Sequence, residues 1–140
     1  MNYGRMAVAA LCAFVAYMAL GGLLFGAIPS LKAEFLKYPN VYRSQQGQMS
    51  HMPAGMLGML LSVAVLSVLY AMVYRPGSGV TTGAAFGALI GLFFLGSFVL
   101  HNYVNLNIGL KLTLFSAAAF MLEWTVVGVV LGLIYRPKYF

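Results

Sequence analysis

Four apolar runs, each long enough to cross a lipid bilayer and each ended by proline, glycine or a polar segment, constrain this chain more than any other feature. They cover residues 6–28, 54–74, 80–100 and 112–135. A helix needs about 20 apolar residues to cross a hydrocarbon core of roughly 30 Å. Lipid offers bare backbone no hydrogen bonds, and the alternation of a barrel strand is missing, so helices are the expected form. The expectation is an all-α fold, a four-helix transmembrane bundle, in a single domain. The first run exceeds the roughly 7–15 apolar residues of a secretory signal and reads as a retained span.

Composition agrees with lipid as the solvent. Of 140 residues, 62% are hydrophobic and 7% charged, against roughly 25% charged in soluble domains. The net charge of +6 reflects two acids rather than many bases. The basic residues stand singly near the ends of the apolar runs, where they can reach anionic head groups. Nucleic acid is not an expected partner, because no clustered basic face is present. The lone Cys12 excludes an intrachain disulfide and is expected as a buried, inert thiol.

The proline positions suggest how the runs end. Pro29, Arg75-Pro76 and Arg136-Pro137 follow three of them, and Pro53 precedes the second. Proline removes a backbone donor and obstructs the preceding turn. The short Pro76-Gly77-Ser78-Gly79 turn makes the second and third spans antiparallel neighbours. In the longest connection, residues 30–53, Leu31, Phe35 and Tyr38 have helical spacing, which fits either a short surface helix ended by Pro39 or a simple loop. Met72-Val73-Tyr74-Arg75-Pro76 matches Leu133-Ile134-Tyr135-Arg136-Pro137, which points to two duplicated two-helix hairpins. Convergence of Tyr, Arg and Pro at membrane boundaries is the competing explanation.

Four crossings put both termini on one side, with Arg5, Arg75, Arg136 and Lys138. Lys32, Lys37, Arg43 and Lys111 occupy the other. The count is tied, and the free amino group tips it toward cytoplasmic termini.

Glu123 is the side chain that most invites a function. It lies about midway along the fourth run, roughly 16 Å from either end, where an ionised acid costs a few kcal/mol. It is expected either as a proton-binding site or as an interhelical polar contact. Ser116, seven residues earlier on the same face, and Ser62, at the matching place in the repeat, are the candidate partners. Trp124 is expected to pack. His51 and His101 fall at one membrane face and could ligate haem or a metal. A third ligand is lacking, so histidines bonded to carbonyls are the preferred reading and no cofactor is predicted.

Gly22 and Gly26, Gly83, Gly87 and Gly91, and Gly128 and Gly132 recur at four-residue spacing, which lets helix backbones approach closely. Such contacts serve either the bundle itself or a homo-oligomer or membrane complex. No nucleophile–base–acid set can be placed, so an enzyme is not expected.

Met52-Pro53, Phe86-Gly87-Ala88-Leu89-Ile90-Gly91, Glu123 and the closing Gly132-Leu133-Ile134-Tyr135-Arg136-Pro137 together resemble a group of small bacterial four-helix membrane proteins without assigned activity. The resemblance spans nearly the whole chain. It implies the four-helix fold and a bacterial inner-membrane setting, and it supplies no catalytic residue or cofactor. Three functional readings follow: a non-enzymatic accessory or self-associating component, a small proton-linked carrier or channel using Glu123, and a redox subunit using His51 and His101.

Overall fold

The computed structural model describes residues 1–136; Pro137 and Lys138, which entered the repeat and the charge count, lie outside the described residues. The elements are α1 (Tyr3–Gly21), running on through a π-helical segment (Gly22–Ala27), α2 (Pro29–Leu36) and α3 (Gln45–Val73). They are followed by α4 (Val80–Phe94), continued by a second π-helical segment (Leu95–Leu100) into α5 (His101–Asn105), and finally by α6 (Leu110–Ile134). Among the described residues, four helical stretches are long and apolar enough to cross a membrane: Tyr3–Ala27, Gln45–Val73, Val80–Asn105 and Leu110–Ile134. At 25 to 29 residues each, their lengths of roughly 38–44 Å exceed the hydrocarbon core and carry the ends into the interfaces.

Local chemistry sets the helix limits. The Asn2 side chain accepts from the Arg5 N–H at 3.0 Å and starts α1. Ile28 is extended ahead of Pro29, as the proline ring requires, and Pro29 then opens α2 where its missing N–H costs nothing. The reversal after α3 uses Gly77 at φ +87°, a left-handed conformation that favours glycine. Ser78 fastens it, donating its N–H to the Arg75 carbonyl and accepting from the Arg75 N–H.

Pro53 departs from expectation: it lies inside α3, which begins at Gln45 rather than Ala54. The Ser44 hydroxyl accepts from the Gly47 N–H at 3.2 Å and caps the helix, so residues 45–52 coil upstream of the proline. This stretch is polar and exposed, so the carbonyl that Pro53 leaves unbonded can be hydrated. Beyond the third apolar run, α5 likewise carries the helix on through His101.

The packing order differs from the chain order. α6 is the hub, with α4 along one side and α1 along the other, and α3 lies on the far side of α1. α3 and α4 are therefore not extended neighbours, contrary to what their short connection suggests. They diverge from the turn because α4 has a glycine face that fits α6, while α3 has its own seam with α1. In that seam Ala9, Ala10 and Ala13 are buried, and the Ser67 hydroxyl donates to the Met6 carbonyl at 2.8 Å. Near the turn the aromatic rings still meet, Tyr70 with Phe86 at 5.3 Å and the repeat-matched Tyr74 with Tyr135 at 5.4 Å.

Both described ends lie together. The Arg5 guanidinium donates to the Arg136 carbonyl, and the Asn2 N–H to the Tyr135 hydroxyl at 3.4 Å. At the opposite end α2 folds against the bundle, with Leu31 buried and Phe35 between Phe25 (5.5 Å) and Tyr42 (4.9 Å). Of the two readings of this segment, the helix is the one observed. Cys12 is exposed on α1 rather than buried, on the side turned away from the seams. Apolar side chains such as Leu57, Leu61, Phe93 and Leu114 also stand outward, as lipid-facing positions do.

Candidate functional site

Antiparallel α1 and α6 bring their midpoints to the same depth, and the deep polar residues of both meet there. Glu123 is 1% exposed. Its carboxyl lies across Gly21 of α1, where a β-carbon would stand 2.7 Å from Oε1. One turn earlier on α1, the Tyr17 hydroxyl lies close enough to the Glu123 carboxyl to interact with it. Glycine at 21 admits the acid, and tyrosine at 17 sets a hydroxyl beside it.

Trp124 closes the next face of α6. Its ring lies 5.2 Å from that of Tyr17 and 5.7 Å from that of Phe94, so the tryptophan packs as expected. Three polar atoms of this core are buried without a hydrogen-bond partner among the described residues: Glu123 Oε2, Trp124 Nε1 and the Tyr70 hydroxyl. Each forgoes a contact normally made by buried polar groups. The contact around Glu123 is a buried helix–helix seam walled by aromatic rings.

Neither serine expected beside Glu123 is its partner. Ser62 is exposed on α3 and donates to the Gly58 carbonyl of its own helix at 2.9 Å. Ser116 is half-buried on α6, about 10 Å along the helix from Glu123. Helical face was a weaker guide than depth. Tyr17 is marked in the sequence by being a tyrosine at mid-span rather than at the interface where tyrosine is usual.

The glycines divide into two groups. Gly83, Gly87, Gly128 and Gly132 form one backbone-to-backbone contact between α4 and α6, and Gly91 faces Met121. A β-carbon on Gly132 would stand 2.6 Å from the Gly79 carbonyl oxygen. Gly22 and Gly26 instead face open space in the first π-helical segment. Their spacing matches a packing motif, but they lie on a side of this helix that no other described element covers.

His51 and His101 are both exposed. His51 Nδ1 is within bonding distance of the Gly47 carbonyl, at 2.8 Å, and of the Ser50 hydroxyl, at 3.0 Å. Among the described residues no cluster of three or more His, Cys, Asp or Glu side chains is placed to hold a metal.

A second polar centre, not foreseen from sequence, sits where α2 meets the start of α6. Glu34 is 3% exposed and bridges Lys37 at 2.6 Å and Lys111 at 3.0 Å. The hydrogen bond from Lys37, and then that from Lys111, hold its carboxyl below the usual carboxylate range against the opposing effect of burial. Beside it the Tyr38 hydroxyl accepts from the Gly109 N–H at 2.8 Å, with no room for a β-carbon at Gly109. This cluster ties the connecting segment to the bundle.

No protein-family profile, curated protein or solved structure matches the chain.

Proposed function

We propose that this four-span membrane protein is a non-enzymatic component that acts by helix association, either as an accessory subunit or through contact with further copies of itself. The observation that carries this reading is the burial of the Glu123 carboxyl between α6 and α1, against Tyr17 and Gly21. A carboxyl spent on joining α1 to α6 behaves as interhelical glue. Support for outward association comes from α3, which packs chiefly on α1 and leaves Gly55 and Gly58 facing open space. Small residues there admit a second helix closely. In this reading the setting is a bacterial inner membrane with cytoplasmic termini.

The unpartnered Glu123 Oε2 favours one other reading, a small proton-linked carrier or channel in which this oxygen exchanges a proton. Liposomes under an imposed pH gradient separate the two. Wild type and a folded Glu123→Gln variant should show the same proton leak, while crosslinking in native membranes yields a discrete larger species. Flux that is present in wild type and absent from the variant would overturn the accessory reading. A redox role for His51 and His101 predicts a Soret band that disappears in both His→Ala variants.

A further inference from the structure

We propose that the α2 end of the bundle holds an anionic phospholipid, its acyl chain in a groove between α1 and α6 and its phosphate against Lys111. The groove has a volume of about 280 Å³. Leu24 and Ile28 line one wall, and Phe115, Ala118 and Leu122 of α6 line the other, with Ser30 at the mouth. From Phe115 to Leu122 it runs about 10 Å from the interface toward the membrane centre. Its walls are apolar, and its one polar lining residue lies at the interface end. That polarity matches a lipid lying along the bundle with its head group beside Ser30.

The head-group end is electropositive by construction. Lys111 Nζ lies 5.6 Å over the Phe115 ring, so the cation stands directly above a groove wall. Lys37 and Lys111 share one carboxylate, Glu34, and each remains more than half exposed. An ammonium has three donors, so both lysines keep N–H groups free for phosphate oxygens while Glu34 fixes their positions. Exposed Lys32 and Arg43 add to the positive field of this face. An acyl chain gains little by exchanging lipid for an apolar groove, so the preference for one lipid comes from its charge.

The test uses the full-length protein reconstituted in vesicles of equal phosphatidylcholine and phosphatidylglycerol. It is extracted gently, and the co-purifying phospholipid is quantified by mass spectrometry. Wild type should retain phosphatidylglycerol over phosphatidylcholine by about fivefold for each lysine engaged. Lys111→Gln should lower that enrichment about fivefold, since Lys37 still pairs Glu34 and the fold is kept, and Lys111→Arg should restore it. Ala118→Phe fills an exposed groove position and should abolish enrichment with every charge in place. Equal retention of the two lipids by wild type would overturn the proposal. So would enrichment that is undiminished in Lys111→Gln or that persists in Ala118→Phe, with folding of each variant checked by Trp124 fluorescence.

Discussion

Gly128→Ala is the substitution that most directly loads the α4–α6 contact. A β-carbon there would stand 2.6 Å from both the Cα and the N of Gly87, and closer still to the Gly83 carbonyl oxygen. All three are backbone atoms, so no side-chain rotation relieves the clash. The helices must separate by roughly 1 Å to restore ordinary carbon contacts. Overpacking of this kind costs about 1–3 kcal/mol, and the helix preference of alanine returns at most about 1 kcal/mol. A net loss of about 1–2 kcal/mol follows, roughly 5- to 30-fold in the folding equilibrium. Gly22→Ala is the matched control, since nothing lies within 4 Å of that position, and it should be neutral or stabilising by up to about 1 kcal/mol. Titration of the micelle-solubilised protein with sodium dodecyl sulfate, followed by the fluorescence of the single tryptophan, measures both. The backbone of Trp124 touches Gly87 at this contact, so the reporter sits where the separation occurs. Equal stability of Gly128→Ala and Gly22→Ala would refute the close approach.

Tyr17→Phe removes the hydroxyl beside Glu123 and should destabilise the fold by about 1 kcal/mol in the same titration; an unchanged midpoint would show that this polar contact does not join the helices. Glu34 gives a pH signature. Because its folded value is lowered from the ordinary 4.5, the unfolded chain binds more protons in the acid range. Its stabilising contribution is complete above that ordinary value and is lost as pH falls through the lowered folded one. Glu34→Gln should flatten this acid-side fall in midpoint, and a slope identical to wild type would sink the assignment. Tyr38→Phe should cost about 1 kcal/mol by leaving the Gly109 N–H without its acceptor, read as a lowered thermal midpoint.

The parts of the fold visible in the sequence are those governed by solvent. Long apolar runs announce lipid, so the spans around Tyr3–Ala27 and Leu110–Ile134 could be read within a few residues. Pairing of helices was harder to read. The Gly77 turn makes α3 and α4 adjacent in sequence, but the fit of Gly83 and Gly87 against Gly128 and Gly132 draws α4 onto α6 instead. The same four-residue glycine spacing occurs at Gly22 and Gly26, where nothing packs, because spacing specifies a surface and not its partner. Pro53 misled because the Ser44 cap supports the turns before it. Glu123 stood out by its charge and depth, whereas Tyr17 was hidden by its apolar ring. The Glu34 cluster joins residues far apart in the chain, through the docking of α2 that no local pattern encodes.

Quenching of Trp124 fluorescence tests the central claim, that the bundle interior around Glu123 is sealed from both water and lipid. The chain has one tryptophan, and it is 4% exposed against Tyr17 and Phe94. In proteoliposomes, aqueous iodide and lipids brominated along their acyl chains should both leave its emission nearly unchanged. Strong quenching by iodide would reveal a water-filled path beside Glu123, and strong quenching by bromolipid would place this face of α6 outside the bundle.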